Sequence, residues 1–136
     1  MRIGRFIGFL AMGLFLIIGC GNNQSDTTGG SILVEVSDAS STTNPFYTWF
    51  NPSDNSNGTA EKLTVARTSD LNKVVWGIVS NQPPQESITS PWKQGDVSAN
   101  VSTISTDEVN LQSGVTYRIT VTKADNTSGF VEYKVP

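Results

Sequence analysis

The chain contains no histidine, so the side chain most often used as general base or metal ligand near neutral pH is missing. Serine–histidine and cysteine–histidine nucleophile pairs cannot be assembled from it. Two features remain that could do chemistry. The first is Cys20, the only cysteine in 136 residues. A single thiol cannot staple a fold, so a lone cysteine needs another explanation. The second is the adjacent pair Asp107-Glu108. Neighbours on a strand point to opposite faces, so these carboxylates are not expected to share a substrate. They read as a solvated turn ahead of Val109. A hydrolase built from carboxylates alone would need two buried acids on one face.

Asp54-Asn55-Ser56-Asn57-Gly58 has the composition of a calcium loop. With Gly58 as the turn glycine, Ser53 falls at the first ligand position and Thr64 where a bidentate glutamate belongs. Two charged ligands are then missing, and an Asn-Gly turn is the expectation. No glycine-rich phosphate loop is present. Neither catalysis nor a metal or cofactor is expected.

The surroundings of Cys20 are more informative. Arg2 and Arg5 precede an uncharged run from Phe6 to Ile18. As a helix that run rises only ~20 Å, short of a ~30 Å hydrocarbon core, which suits a cleavable signal segment better than a membrane span. Small Gly19 stands where a signal peptidase needs a small residue. Ile17-Ile18-Gly19-Cys20 resembles the lipobox of bacterial lipoproteins. That resemblance implies diacylation of the Cys20 sulfur, cleavage before Cys20, and residence in the cell envelope on a lipid anchor. Each buried methylene contributes ~0.8 kcal/mol, so two or three acyl chains anchor stably. Gly21 follows the cysteine where Asp would favour inner-membrane retention, which implies the outer membrane in a Gram-negative host. The expected organisation is a signal peptide over 1–19, a flexible tether over 20–30, and one domain over 31–136.

The formal charge is −3, and losing Arg2 and Arg5 makes the remainder more acidic. No Lys/Arg cluster survives, which argues against nucleic acid and against electrostatic attachment to anionic lipid. Three sequon matches, at Asn57, Asn100 and Asn126, reflect a Ser/Thr/Asn-rich composition, and no sugar is expected on them. Of the three tryptophans, Trp49 and Trp76 fall at inward positions of predicted strands and read as core. Trp92 lies in a long polar connection between Pro91 and Lys93. Stiff flanks would present it as a contact residue, with Pro91 and Lys93 beside it. Alternatively it folds back over an open end of the domain.

The elements that position these residues are strands. The alternation predicts strands over 32–36, 46–50, 61–67, 74–79, 97–104, 115–122 and 131–135. Ile32, Val34 and Val36 share one face of the first. Tyr47 and Trp49 point inward from the second, leaving Phe46 and Phe50 near the ends or under a loop. Val97, Ala99 and Val101 share a face of the fifth. In the sixth, Val115, Tyr117, Ile119 and Val121 alternate with Thr116, Arg118, Thr120 and Thr122. Seven short strands without helices predict an all-β, seven-stranded antiparallel sandwich.

Leu111-Gln112-Ser113-Gly114-Val115-Thr116-Tyr117-Arg118-Ile119-Thr120-Val121 resembles the penultimate strand of fibronectin type III domains. Pro45-Phe46-Tyr47-Thr48-Trp49 is similar to the second strand of that fold, whose tryptophan plugs the core. The resemblance implies that the Tyr117 hydroxyl bonds backbone a few residues upstream. Ser113 stands where the family favours proline, and the connection over 81–96 is long. The resemblance carries no catalytic residue, because this sandwich hosts binding, spacing and adhesion modules alike. The expected function is a membrane-anchored, non-catalytic binding or adhesion module whose partner is an envelope protein or surface glycan. The alternative is a structural accessory subunit of an envelope complex, engaged through an edge strand.

Overall fold

The computed structural model describes residues 28–37, 41–53 and 56–136. The segment before Thr28, including Ile17-Ile18-Gly19-Cys20, and Asp54-Asn55 of the loop weighed for calcium lie outside the described residues. Within them the chain is all-β, with no helix and with antiparallel pairing throughout.

Among the described residues there are twelve strands: β1 (Thr28–Gly30), β2 (Leu33–Ser37), β3 (Phe46–Asn51), β4 (Ser56–Asn57), β5 (Thr59–Ala60), β6 (Lys62–Arg67), β7 (Val74–Ser80), β8 (Ile88–Thr89), β9 (Trp92–Lys93), β10 (Val101–Ser105), β11 (Thr116–Thr122) and β12 (Ser128–Lys134). The large sheet has the order β1-β12-β11-β6-β7-β10. The small sheet is built on β3, with β2 along one side and β4 and β9 along the other. A two-stranded piece, β5-β8, stands apart. Each segment expected as a strand overlaps one of the longer strands. The short strands β1, β4, β5, β8 and β9 were not expected, because two or three residues carry no readable period.

The two main sheets enclose one core in a sandwich-like arrangement. Val34, Tyr47 and Trp49 come from the small sheet, and Leu63, Trp76, Ile78, Tyr117, Ile119 and Tyr133 from the large one. β11 shows why the sequence folds this way. Tyr117, Ile119 and Val121 are fully buried, while the threonines and Arg118 between them face outward, half-buried. Branched and aromatic side chains fit a pleated, one-sided surface. Each fully buried aliphatic side chain contributes ~1.5–3 kcal/mol, against ~0–1 for a half-buried surface pair such as Arg118–Glu132. Core burial holds the sheets together.

Several expectations need correction. The tether was expected to run to Gly30, but Thr28–Gly30 are the outermost strand of the large sheet, with Thr28 opposite Val131 and Gly30 opposite Gly129. Here the chain crosses between sheets. Gly30 takes a left-handed φ of +89°, and the Ser128 carbonyl accepts from both Ser31 N–H (2.8 Å) and Ile32 N–H (3.4 Å). A β-carbon on Gly129 would sit 1.9 Å from the Ile32 carbonyl oxygen. The two glycines make this corner possible.

The fifth expected strand begins too early, since Val97 and Ala99 are exposed and precede β10. A half-polar run offers alternation without burial to enforce it. The turn after β3 lies at Pro52-Ser53, where the Asn51 side-chain carbonyl accepts from Ser53 N–H at 3.0 Å and from the Ser53 hydroxyl at 2.7 Å. Gly58 is instead packed against Trp49, whose Cδ1 would lie 1.9 Å from an added β-carbon.

Candidate binding face

The outward side of the small sheet presents a partly exposed row of side chains. Along β3 the burial alternates, with Tyr47 and Trp49 inside and Phe46, Thr48 and Phe50 half-buried on the outer side. The register carries that row onto the neighbouring strands. Leu33 stands opposite Phe50, Glu35 opposite Thr48, and Lys93 opposite Phe46. Leu33 is 51% exposed, a large apolar group left in water beside Phe50. One depression of about 320 Å³ lies over Leu33, Glu35, Thr48 and Phe50. A second, of about 250 Å³, lies at the other end, over Phe46, Pro91, Trp92, Lys93 and Val97. Val97 is 52% exposed. Each end of the face therefore mixes an exposed aliphatic group with charge, Leu33 with Glu35 in one depression and Val97 with Lys93 and Asp96 in the other.

The structure brings Trp92, Pro91 and Lys93 to the edge of this face, on and beside β9 rather than in a free loop. Trp92 pairs with Tyr47 and packs, half-buried, against the core. Its indole N–H donates to the Asp96 carbonyl at 3.1 Å. Pro91 is exposed, and Lys93 is half-buried on the outer side.

A buried amide holds this segment in place. Gln94, 1% exposed, donates its backbone N–H to the Pro45 carbonyl at 2.9 Å. Its side-chain oxygen accepts from the Tyr47 hydroxyl at 2.8 Å, and its side-chain nitrogen donates to the carbonyls of Glu108 and Val109 at 3.0 and 3.2 Å. Burial, with Tyr133 and Tyr117 nearby, pushes the Tyr47 hydroxyl well above the usual tyrosine range. It stays a neutral donor. Gln94 carries no signal in the sequence, being one of three glutamines in a polar stretch with no period.

The two carboxylates expected to be solvated behave differently. Asp107 is exposed and 3.7 Å from Lys73. The Glu108 side chain is only 12% exposed, which corrects the reading of it as part of a solvated turn. Its carboxylate accepts from Arg67 Nε at 2.7 Å and from the Tyr117 hydroxyl. That hydroxyl in turn accepts from Gln112 N–H at 3.0 Å, a bond to backbone five residues upstream. Burial first, then the Glu108 hydrogen bond, raise the Tyr117 hydroxyl above its ordinary range. Arg67 is raised as well, by its hydrogen bond to Glu108. Asp107 and Glu108 thus diverge, one to solvent and one to a structural network. Among the described residues no three His, Cys, Asp or Glu side chains are grouped to hold a metal ion.

Compared with protein-family models, curated proteins and solved structures, the chain matches none of them.

Proposed function

We propose that this chain is a cell-envelope lipoprotein, anchored through Cys20, whose single fibronectin type III-like sandwich is a non-catalytic binding or adhesion module. The central position of β11 in the large sheet, and the hydrogen bond from Gln112 N–H to the Tyr117 hydroxyl, support that fold reading. The observation that carries the function is the outer face of β3. Half-buried Phe46 and Phe50 and exposed Leu33 lie on the outer side of the small sheet. Apolar patches of this kind, bordered by polar groups such as Glu35, Thr48 and Lys93, are the usual sign of a contact surface.

The anchor sets the working distance. Seven residues separate Cys20 from Thr28, a span averaging under ~20 Å if flexible. The domain rides close to the membrane that holds it, which is the outer membrane in a Gram-negative host. A second reading, an accessory subunit engaged by strand addition, is favoured by β10, the terminal strand of the large sheet. Its residues Val101–Ser105 carry no charge to repel a partner strand.

A photo-crosslinking amino acid at Phe50, Thr103 or Thr120, tested in intact cells, separates these readings. An adduct of one size at Phe50, with none at Thr120 on the outer side of the large sheet, is the expected result. An adduct at Thr103 alone would favour strand addition, and none at any position would remove the binding face.

A further inference from the structure

A different groove lies at the end of the sandwich where β7 stops and β10 begins. The connection over 81–87 and the turn over 98–100 stand side by side there, enclosing about 270 Å³ lined by Asn81, Gln82, Gln85, Ser87, Ala99 and Asn100. None of these six residues is charged, and only Ala99 is apolar.

The groove is held in shape by its own hydrogen bonds. Asn81 N–H donates to the Asn100 carbonyl at 3.0 Å, and its side-chain nitrogen donates to the Ala99 carbonyl at 2.9 Å. The Ser102 hydroxyl donates to the Asn81 side-chain oxygen. Gln85 N–H closes a turn onto the Gln82 carbonyl at 2.8 Å, across Pro83-Pro84, whose rings fix φ. The hydroxyls of Ser80 and Ser87 are 3.0 Å apart.

The one charged residue of the 81–87 connection is turned away. Glu86 accepts from Ala124 N–H at 3.0 Å and from the Thr59 hydroxyl, with Lys123 at 3.9 Å. The side-chain amides of Gln82, Gln85 and Asn100, by contrast, have no partner among the described residues. Two fixed loops therefore hold free amides around a neutral groove.

We infer that this groove is a subsite for a neutral glycan. Each side-chain amide offers two donors and an acceptor from one plane, which matches vicinal hydroxyls and N-acetyl groups. A phosphate or carboxylate would find no cation in the lining, and a metal ion would find no carboxylate. A peptide side chain would find no apolar pocket. The volume lies just below the usual range of ligand clefts, so affinity in the ~1 mM range is expected. This site is separate from the outer face of β3 and does not depend on it.

The test is an NMR titration of the full chain in a sugar-free zwitterionic detergent, following side-chain amide signals. Chitotriose and maltotriose at ~10 mM should shift the signals of Gln82, Gln85 and Asn100, leaving those of Asn44 and Asn72 in place. Gln82→Ala with Gln85→Ala should weaken binding roughly fivefold or more. Both side chains are exposed, so the fold should tolerate their loss. If the double variant misfolds, Asn100→Ala carries the same expectation. No shift with either sugar, shifts unchanged in the variants, or shifts with an uncharged tripeptide but not with sugar would each overturn the assignment.

Discussion

Gly129→Ala is expected to lower the stability of the domain by about 3 kcal/mol, the upper part of the range for inserting a carbon into filled space. An added β-carbon would lie 1.9 Å from the Ile32 carbonyl oxygen and 2.9 Å from the Ile32 β-carbon. The obstacle is backbone, so no rotamer change relieves it. Ile32 is itself 1% exposed and part of the core. Its carbonyl can move only if the corner moves, and that corner is tied to Ser128 by two hydrogen bonds. The change therefore acts on both sheets at once, by loosening β1 from β12 and displacing Ile32. Urea midpoints of Gly129→Ala and the parent chain measure it. A difference under ~0.5 kcal/mol would mean that the crossing between the sheets is not built as described.

Tyr117→Phe is expected to cost about 2 kcal/mol. The ring is fully buried, so phenylalanine fills nearly the same space and packing changes little. What is lost is the hydroxyl, an acceptor for Gln112 N–H and a donor to the Glu108 carboxylate. Leaving a half-buried donor and a mostly buried carboxylate short of a partner costs ~1–3 kcal/mol. Arg67 remains on Glu108, which keeps the figure below that for an isolated buried charge. If the three side chains act as one network, Tyr117→Phe and Glu108→Gln should be non-additive. Equal denaturant midpoints for Tyr117→Phe and the parent would mean the hydroxyl carries no structural bond.

The long strands were legible because their periods are enforced by burial. Tyr117, Ile119 and Val121 alternate with threonines and an arginine, and the two-residue period admits one inward face. Tyr47, Trp49 and Trp76 were placed inside for the same reason. Thr28–Gly30 could not be read as a strand, because its pairing depends on an absent side chain at Gly129 and a left-handed turn at Gly30. Two adjacent glycines look the same in a linker. Gln94 and Glu108 were equally invisible, since their partners are 47 and 41 residues away in Tyr47 and Arg67.

The proposed contact face was half legible. Aromatics on both sides of β3 showed that one pair would need cover, and the sequence alone sends Phe46 and Phe50 toward the strand ends or under a loop. The register supplies the missing part, since Leu33 and Lys93 stand beside them on neighbouring strands. Trp92 was singled out for its stiff flanks, yet its ring packs against the core. The aromatic surface beside it comes from Phe46.

The proposed place in the cell envelope rests on attachment through Cys20, and metabolic labelling with a fatty-acid probe tests that attachment directly. The parent chain should carry the label and sediment with membranes. Cys20→Ala should lose the label entirely and accumulate as uncleaved precursor, because the proposed acylation site is the sulfur and the alanine side chain has none. Undiminished label in Cys20→Ala would contradict the account.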